Sequence, residues 1–436
     1  MASNLKILKR KIDNKKAAVA VIGLGYVGLP LAVEFALKGF KVTGIDLDAG
    51  RVERLRNNTS YISDVPQEVI SRVTGQGLLT ACTDFKLLSG ADVILICVPT
   101  PLKRKYHPDI SFIISAVRQI RKFLRPGQLV ILESTTYPGT TEEVILPLLE
   151  SSGLACGRDF FLVFSPERID PGNKKFPVNK IPKVVGGVTA EASCLAASLY
   201  RHITCSAVTV SSPRVAETVK LLENTFRIVN IGLIDEMAMM CHKMGIDIWE
   251  VVGAAKTKPF GFMPFYPGPG VGGHCIPKDP LYLYWKAKSF GFKSKYIKLS
   301  SDIINHMPHY VVERVRVSLR SRGVRLEKAK VLVCGVTYKK DIKDLRKSPP
   351  LDVIEILQAK GADVSYHDPL VPFLKIGSID LRSRPLTPPV LKSCDCVIIA
   401  TDHSSTDYRA IARHAAFIFD ARNVYSAPSG GKIEKL

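Results

Sequence analysis

The stretch that most restricts the possible fold is a glycine-rich segment near the N-terminus. It follows Ala18–Ile22, an apolar and β-branched run typical of a buried parallel strand, and it reads Gly-Leu-Gly-Tyr-Val-Gly over residues 23–28. A helical pattern covers 29–38, and a strand pattern over 41–45 ends at Asp46, 21 positions after the second glycine. An isolated G-x-G-x-x-G is a weak signal, but this order of elements predicts a dinucleotide-binding βαβ unit.

The chemistry expected of this unit follows from its backbone. Glycines permit a tight turn and let backbone N–H groups at the helix N-terminus approach a pyrophosphate. Asp46 would accept a hydrogen bond from a ribose 2′-hydroxyl and repel a 2′-phosphate, which favours NAD over NADP. Arg51 is close enough to complicate that preference, although a solvated helix residue is the simpler interpretation. The predicted cofactor-binding residues here are Gly23, Gly25, Tyr26, Val27, Gly28, Asp46 and Arg51.

Three more strand patterns in this part of the chain end in polar residues. In a parallel sheet the ligand crevice lies beyond the carboxyl ends of the strands. Hydroxyl side chains at such ends are equally typical of helix N-caps, so both interpretations stay open. Glu167 is harder to explain as a cap, because prolines restrict its loop. The strand patterns are 92–98, 128–132 and 161–164, and the candidates at their ends are Pro99, Thr100, Ser134, Thr135 and Glu167.

A long helical pattern occupies the middle of the chain, from Ser211 to Met244. It opens with Ser-Ser-Pro, an N-cap followed by a first-turn proline. Apolar residues form one stripe along it, while Lys220, Asn224 and Arg227 lie together on another face. These three side chains suit an anion or oxyanion site. A solvated face explains the pattern equally well, and two neighbouring glutamates support that alternative.

A second glycine-rich loop ends in a single thiol. Four glycines occupy the six positions 268–273, His274 and Cys275 follow, and a lysine and Asp279 come within the next four residues. Glycines let the backbone approach another group closely, which a core cysteine does not require. A tight turn that ends in a buried cysteine is the alternative. A dinucleotide site upstream favours a nucleophilic thiol, since the thiol then has a redox partner.

The C-terminal part begins a second α/β unit. Its loop from Lys339 to Pro349 lacks the dinucleotide glycines but is basic and follows a strand, so it suits a phosphorylated ligand; a solvated charged loop is the alternative. The predicted fold class is therefore α/β, with two Rossmann-like doubly wound domains joined by a long central helix or helical domain. The predicted domains are an NAD-binding domain at 1–205, a central helical domain at 206–315 and a C-terminal domain at 316–436.

Composition narrows the functional classes. The net charge of +21 is compatible with nucleic acid, an anionic membrane or an acidic substrate, but the basic residues are scattered, so we expect no nucleic-acid partner. No run approaches the ~18 apolar residues of a membrane span, and no signal-peptide layout is present. The ten cysteines include no C-x-x-C, which is typical of a reduced, cytoplasmic protein. His306 and His309 lack a third ligand candidate, so no metal site is predicted.

Taken together, the motifs resemble the UDP-glucose/GDP-mannose dehydrogenase family over nearly the whole chain. Residues 259–270 and His274 resemble its UDP-N-acetylglucosamine 6-dehydrogenase branch, whereas glucose-specific members more often carry serine before the cysteine. UDP-glucose and the N-acetylmannosamine and N-acetylgalactosamine epimers remain alternatives. The segments that carry the resemblance are 23–30, Val98–Pro101, Glu133–Thr135, Ser165–Arg168, Lys220 with Asn224, Gly272–Asp279 and Lys339–Pro349.

The resemblance implies a four-electron oxidation that uses two NAD molecules and converts a sugar C6 alcohol into a carboxylate. Cys275 would form a thiohemiacetal and then a thioester, because an aldehyde gives up a second hydride readily only after a nucleophile has added. Lys220 and Asn224 would stabilise the oxyanion. Asp279, Thr135 and a water would serve the first proton abstraction, and Glu167 would be the base in thioester hydrolysis.

The resemblance also implies binding contacts and an assembly. Arg346 would reach NAD or a phosphate, and we expect a homodimer or higher homo-oligomer with the long helix at its interface. Two rivals remain: a two-electron dehydrogenase of the β-hydroxyacid or 6-phosphogluconate kind, and a basic nucleic-acid-binding protein. The residues expected to bind the UDP-sugar are Phe164, Glu167, Arg168, Lys220, Asn224, Arg227, Tyr266, Gly268, Gly270, Gly272 and Lys339.

Overall fold

The computed structural model describes residues 2–62, 64–103, 106–168, 176–273, 275–425 and 431–436. The chain divides into two units, each with its own hydrophobic core. The first unit consists of Met1–Glu223 and Trp285–Phe292, and the second consists of Asn224–Tyr284 and Lys293–Leu436.

The first unit contains an eight-stranded sheet. Its strands are β1 (Val19–Ile22), β2 (Val42–Ile45), β3 (Leu79–Cys82), β4 (Val93–Ile96), β5 (Leu129–Leu132), β6 (Phe161–Phe164), β7 (Lys183–Gly187) and β8 (Ala207–Val210). The strand order is β3-β2-β1-β4-β5-β6-β7-β8, and all neighbours are parallel except β6 and β7. Val19 of β1 pairs with Val42 on one side and Val93 on the other, so the first predicted strand lies in the sheet interior.

Helices cover the faces of this sheet, as the alternating pattern predicts. The α-helices of this part are α1 (Ala2–Asp13), α2 (Gly28–Leu37), α3 (Ala49–Arg56), α4 (Gln67–Gly75), α5 (Ser111–Phe123), α6 (Leu146–Glu150) and α7 (Ala190–Tyr200). Shorter turns are 3₁₀ at Phe85–Gly90 and Val178–Lys180 and π-helical at Thr141–Ile145. The basic N-terminal segment thus forms α1, which buries Leu8 and Ile12.

The helices that follow are longer. α8 (Pro213–Lys243) contains the boundary between the two units, and α10 crosses it as well. No helix within the described ranges is both long enough and apolar enough to cross a membrane. After α8 come α9 (Ile248–Ala255), α10 (Asp279–Ser289) and α11 (Lys295–Ser321).

The second unit contains a five-stranded parallel sheet and a hairpin. Its strands are β9 (Lys330–Cys334), β10 (Asp363–His367), β11 (Phe373–Ile376), β12 (Ile379–Arg382), β13 (Cys396–Ile399), β14 (Ile418–Asp420) and β15 (Ile433–Lys435). The sheet order is β10-β9-β13-β14-β15, and β11 pairs with β12. The remaining helices are α12 (Pro349–Ala359), α13 (Pro388–Lys392) and α14 (Tyr408–His414). The predicted fold class is confirmed.

On α8 the polar face is largely buried and the apolar stripe is exposed, the reverse of the usual arrangement. Lys220 and Asn224 are 8% and 6% exposed, so a solvated face is the wrong explanation for these two residues, whereas Arg227 is exposed. The apolar stripe is the solvent-facing side: its exposed members are Val215 (40%), Leu222 (61%), Phe226 (45%), Leu233 (54%) and Met240 (44%). Burying polar side chains and exposing apolar ones is costly unless both faces have partners.

Glu217, one of the glutamates that favoured the solvated alternative, is completely buried in the first unit. Its carboxylate accepts hydrogen bonds from the backbone N–H groups of Gly139 (2.5 Å) and Thr141 (2.9 Å) and from the Thr141 hydroxyl (2.7 Å). Burial raises the pKa of Glu217 to about 7. It therefore fastens the first turns of α8 to the segment after β5.

Candidate active site

The glycine turn after β1 combines closely packed positions with an open one. A Cβ on Gly28 would lie 1.8 Å from the Gly23 carbonyl oxygen, and one on Gly23 would lie 2.6 Å from the Cys97 carbonyl oxygen. A Cβ on Gly25 would meet nothing within 4 Å. The first two positions therefore need glycine for the fold itself, whereas Gly25 leaves open space beside the start of α2.

A cavity of 280 Å³ adjoins that open position. No described side chain caps the N-terminus of α2, so its first backbone N–H groups can face an anion. Two arginines in the lining add positive charge. The lining residues are Gly25, Tyr26, Asp48, Gly50, Arg51, Arg54, Tyr61 and Ile62. These residues fit a dinucleotide pyrophosphate.

Asp46, at the end of β2, holds the glycine turn in place. Its carboxylate accepts the Leu24 N–H (2.7 Å) and the Asp48 N–H (2.9 Å), and the side chain is largely buried. The Arg51 guanidinium lies 3.3 Å from Asp46 Oδ2 and 3.4 Å from Asp48 Oδ2. Arg51 is therefore partly exposed, as expected of a solvated helix residue, but it also pairs with two carboxylates, which that interpretation did not include.

The predicted strand-end residues differ in their surroundings. The Ser134 hydroxyl donates to the carbonyls of Ile96 (3.2 Å) and Val98 (2.8 Å), so it joins the ends of β5 and β4. Thr100 is buried, Thr135 is partly exposed and Pro99 is exposed. The Phe164 ring lies in the hydrophobic core, so a role in substrate binding would have to come from its backbone.

A buried ion cluster lies beside Glu167. Lys183 Nζ is 2.5 Å from the fully buried Glu133 carboxylate, donates to the Pro166 carbonyl (3.0 Å) and lies 3.9 Å from Glu167 Oε2. The hydroxyl of Tyr200 also donates to Glu133. Burial raises the pKa of Glu133; burial alone would lower the pKa of Lys183, but the two carboxylates raise it. The sequence did not identify Lys183, because it lies 50 residues from Glu133.

Arg168, the residue after Glu167, is partly exposed. Its guanidinium pairs with Glu223 of α8 (2.6 Å) and donates to the Pro182 carbonyl (2.6 Å). Residues 169–175 after it are outside the described part of the chain. Arg168 is thus held in a fixed direction by a charged partner on the long helix.

In the second unit, three of the predicted catalytic residues lie together. Cys275 is exposed, and its carbonyl accepts the N–H groups of Lys278 (3.0 Å) and Asp279 (2.8 Å), where α10 begins. Asn224 Nδ2 donates to Asp279 Oδ2 at 2.7 Å, and Asp279 is completely buried. The backbone of Cys275 is therefore held just before α10, and the cysteine is exposed.

Lys278 is a residue near the thiol to which the sequence gave no role. It is 4% exposed and lies over the Tyr282 ring at 5.4 Å from the centroid. Burial lowers the pKa of Lys278, while its attraction to Asp279 and Cys275 opposes that shift. Lys278 is therefore close enough to interact electrostatically with Cys275. Its signal in the sequence is the three-residue spacing from Cys275 at the start of a helix.

The glycines before Cys275 allow close packing against other segments of the second unit. A Cβ on Gly272 would lie 2.5 Å from both the Lys347 carbonyl oxygen and Tyr338 Cβ, and the Gly273 N–H donates to the Arg346 carbonyl (2.9 Å). Gly270 similarly packs close to Ile304 and Pro349. The thiol loop is therefore joined to the basic loop after β9. His274 lies outside the described residues.

Gly268 packs on two charged residues of the second unit. Its N–H donates to Asp235 Oδ1 of α8 (3.1 Å), and a Cβ on it would lie 2.6 Å from Arg422 Nη1. Asp235 Oδ2 is buried and has no hydrogen-bond partner among the described residues. Burial raises the pKa of Asp235 to about 8.

The remaining predicted contacts of the second unit lie at its surface. Lys339 is partly exposed, and Arg346 is exposed and pairs with Asp344 (2.6 Å). Tyr266 stacks on Trp249 with their centroids 6.1 Å apart. Among the described residues, no group of three or more His, Cys, Asp or Glu side chains is arranged to hold a metal ion.

Family models match three successive parts of the chain. All three belong to the UDP-glucose/GDP-mannose dehydrogenase family: its NAD binding domain matches residues 17–204, its central domain 214–306 and its UDP binding domain 332–427. NAD is therefore the cofactor, as the glycine turn and Asp46 predicted, and a UDP-sugar is the class of substrate.

Individual relatives agree with this. UDP-N-acetyl-D-glucosamine 6-dehydrogenase of Pseudomonas aeruginosa is 40% identical and covers 89% of this chain and 91% of its own. Protein CapL of Staphylococcus aureus is 36% identical, with 96% and 98% covered. The solved UDP-D-ManNAc dehydrogenase of Pyrococcus horikoshii superposes with a TM-score of 0.87 at 33% identity, with 96% and 98% covered. The chain belongs to the UDP-glucose/GDP-mannose dehydrogenase family and is an NAD-dependent nucleotide-sugar dehydrogenase.

Proposed function

We propose that this enzyme oxidises the C6 alcohol of UDP-N-acetylglucosamine to the carboxylate in two NAD-dependent steps, the second of them on a Cys275 adduct. The observation that carries the proposal is the arrangement of Cys275, Asp279 and Asn224, with the Asn224 amide 2.7 Å from the Asp279 carboxylate. A two-electron dehydrogenase has no use for a thiol placed at a helix start beside a buried lysine. An enzyme that must retain an aldehyde needs such a thiol.

In the first step the C6 alcohol loses its hydroxyl proton and a hydride from the C6 carbon and becomes an aldehyde. When bound, NAD would supply the hydride acceptor for both oxidations. Asp279, with Thr135 and a water, takes the hydroxyl proton. The buried Asn224 amide donates to Asp279 and so fixes the direction of its carboxylate.

In the second step the Cys275 sulfur adds to the aldehyde carbon and forms a thiohemiacetal. Loss of the second hydride leaves a thioester, because the carbon keeps its bond to sulfur while its oxygen becomes a carbonyl. Lys220 and Asn224 stabilise the negative charge that develops on that oxygen. Lys278 favours the thiolate that starts the step.

In the last step water attacks the thioester, the C–S bond breaks and the thiolate leaves. We assign the removal of the water proton to Glu167. The buried Lys183 ammonium lies 3.9 Å from the Glu167 carboxylate and helps to hold it in place. Arg168, Arg227, Tyr266, Lys339 and Arg346 would bind the sugar nucleotide or the diphosphates.

The substrate assignment is supported by the 40% identical relative and by the sequence of residues 259–270. UDP-N-acetylmannosamine is the first alternative, since the P. horikoshii relative carries that name. A panel of UDP-N-acetylglucosamine, its manno and galacto epimers and UDP-glucose tests the assignment by NADH yield and product mass. Highest kcat/KM with UDP-N-acetylglucosamine supports it; preference for another sugar overturns it.

The setting of the enzyme is also a proposal. The uronate product suits surface polysaccharide biosynthesis, and the reduced cysteines suit the cytoplasm. The division at residues 205 and 315 is retained as a description of the NAD-binding, central and UDP-sugar-binding domains.

We also propose that a second copy of this chain covers the apolar face of α8. The exposed residues Val215, Leu222, Phe226, Leu233 and Met240 recur at intervals of seven, four, seven and seven, which is the spacing of helices packed lengthwise. Replacing Leu222 and Leu233 by Glu should give a monomer in sedimentation velocity. The control is Lys243→Glu, at an exposed polar position of α8. An unchanged dimer in the double variant contradicts this interface.

A further inference from the structure

A buried imidazole lies under the turn that carries Lys339. His403 follows β13 and is 0% exposed, and its Nδ1 accepts the backbone N–H of Asp341 at 3.0 Å. A backbone amide can only donate, so Nδ1 carries no proton. The ring is therefore the neutral tautomer with its proton on Nε2.

The other ring nitrogen faces two buried acceptors. His403 Nε2 lies 3.1 Å from Asp368 Oδ2 and 3.1 Å from Thr337 Oγ1. The Thr337 hydroxyl donates its own proton to the Lys339 carbonyl (3.0 Å), so its oxygen can accept from the ring. Asp368 also accepts the Val336 N–H (2.8 Å), which fixes it beside β9. His403 thus joins the loops that follow β9, β10 and β13.

The turn itself needs this support. Asp341 has a φ of +58°, a left-handed conformation that is unfavourable for a residue other than glycine. Its carboxylate accepts the backbone N–H (2.8 Å) and the hydroxyl (2.7 Å) of Ser404. Lys340 pairs with Asp402 at 3.4 Å. The whole turn is therefore fastened to residues 402–404, with the imidazole as its only fully buried anchor among them.

We propose that His403 is the positioning residue for Lys339: its imidazole fixes the 339–341 turn in the conformation that presents Lys339 to the diphosphate of a nucleotide-sugar. The inference rests on the proposed function, since it takes Lys339 as a substrate-binding lysine. His403 acts through the backbone of the turn and touches no reacting atom.

The first test uses no ligand. Amide hydrogen exchange of the peptide over residues 338–345 is compared in wild type, His403→Ala, His403→Asn and His403→Gln. Asparagine places an acceptor oxygen where Nδ1 lies, whereas glutamine reaches the position of Nε2. We expect at least tenfold faster exchange of the Asp341 amide in the Ala and Gln variants and near wild-type exchange in the Asn variant. Equal exchange in all four proteins overturns the proposal.

The second test measures binding of UDP by calorimetry and the KM values for NAD and UDP-sugar. We expect His403→Ala to weaken UDP binding about tenfold and to raise the UDP-sugar KM in parallel, with the KM for NAD and kcat within twofold of wild type. His403→Asn should recover most of the affinity. His306→Ala, at an exposed histidine of α11, is the matched control.

The outcomes separate the two proposals. UDP affinity in folded His403→Ala within twofold of wild type overturns the positioning role. If His403→Ala fails to fold, the Asn and Gln variants decide, and equal UDP affinity in those two overturns it. If Lys339→Ala binds UDP as wild type does while exchange still depends on residue 403 as expected, the proposed role of Lys339 fails and the anchoring of the turn stands.

Discussion

The loops that follow β1 and β9 leave their sheets in the same way and then diverge. Gly23 has a φ of +90° and would place a Cβ 2.6 Å from the carbonyl oxygen of Cys97, which follows the neighbouring β4. Gly335 has a φ of +82° and would place a Cβ 2.2 Å from the carbonyl oxygen of Thr401, which follows the neighbouring β13. Each sheet thus needs one glycine where the chain passes the next strand.

Beyond that point the two loops use different means. After Gly23 two more glycines bring the chain into α2 at Gly28, and the open position at Gly25 exposes backbone to a ligand. After Gly335 no glycine occurs before α12 begins at Pro349, and buried side chains hold the loop instead. In the function proposed above, backbone groups approach the dinucleotide, whereas lysine and arginine side chains, which need a rigid base, meet the UDP-sugar.

The largest expected effect on stability is at Gly23 and Gly335, the glycines where both loops pass a neighbouring strand. Gly335→Ala and Gly23→Ala should each lower the free energy of unfolding by about 4 kcal/mol, because a Cβ meets backbone and the φ is unfavourable for alanine. Denaturant unfolding measures this, with Gly75→Ala as the control, since that position is open and has no positive φ. A loss below about 1 kcal/mol at either glycine would show that the two crossings are not equivalent.

A second contrast concerns charge: the first unit buries an ion cluster under Glu167, and the second buries a neutral imidazole under Lys339. Lys183→Met should lower the free energy of unfolding by about 3 kcal/mol, because it leaves Glu133 buried without its cation. Adding Glu133→Gln should restore at least half of that loss. A single variant as stable as wild type would mean that the buried pair is not ionised.

The open glycine offers a test that separates ligand from fold. Gly25→Ala should weaken NAD binding by roughly 10- to 100-fold, since a methyl group would enter the space beside the pyrophosphate, while the free energy of unfolding changes by less than about 1 kcal/mol. Fluorescence titration with NADH and denaturant unfolding measure the two quantities. Lost stability with unchanged NADH affinity would reverse the assignment of this position.

The most gradual effect expected is a pH dependence from Asp235, the residue of α8 that accepts the Gly268 N–H in the loop before Cys275. The pKa of Asp235 is raised to about 8, so the folded protein keeps a proton that the unfolded chain releases near pH 4. Stability from this residue is therefore lost as pH rises from 4 to 8. In denaturant unfolding, the stability of Asp235→Asn relative to wild type should rise by about 1.4 kcal/mol for each pH unit between pH 5 and pH 8. A constant difference across this range would mean that Asp235 does not titrate there.

The sequence predicted the bounds of those strands and helices that depend on residues adjacent in the chain. Strands β1, β2, β4, β5 and β6 and helices α2 and α8 lie within two residues of their predicted bounds, because apolar runs and glycine or proline boundaries are local signals. The sequence did not predict the antiparallel pairing of β6 with β7, nor the β11–β12 hairpin. Such pairings depend on contacts that no single run of residues encodes.

The site shows the same division. The glycine turn and the Cys275 loop were found because their residues are consecutive. The burial of Lys220 was not, since helical spacing shows that two faces of α8 differ but not which one is covered. Lys183 and His403 were missed because their partners lie 50 residues away at Glu133 and 35 residues away at Asp368. Roles that arise from tertiary contacts need the structure.

The most direct test of the central claim, that one thiol supports two oxidations, is the NADH yield per UDP-N-acetylglucosamine in the wild-type enzyme and in Cys275→Ser. We expect two NADH and a carboxylate product from the wild type, with no aldehyde captured by hydroxylamine. The variant should form the carboxylate at least 100-fold more slowly. One NADH per sugar in the wild type, or full four-electron turnover by Cys275→Ser, would contradict it.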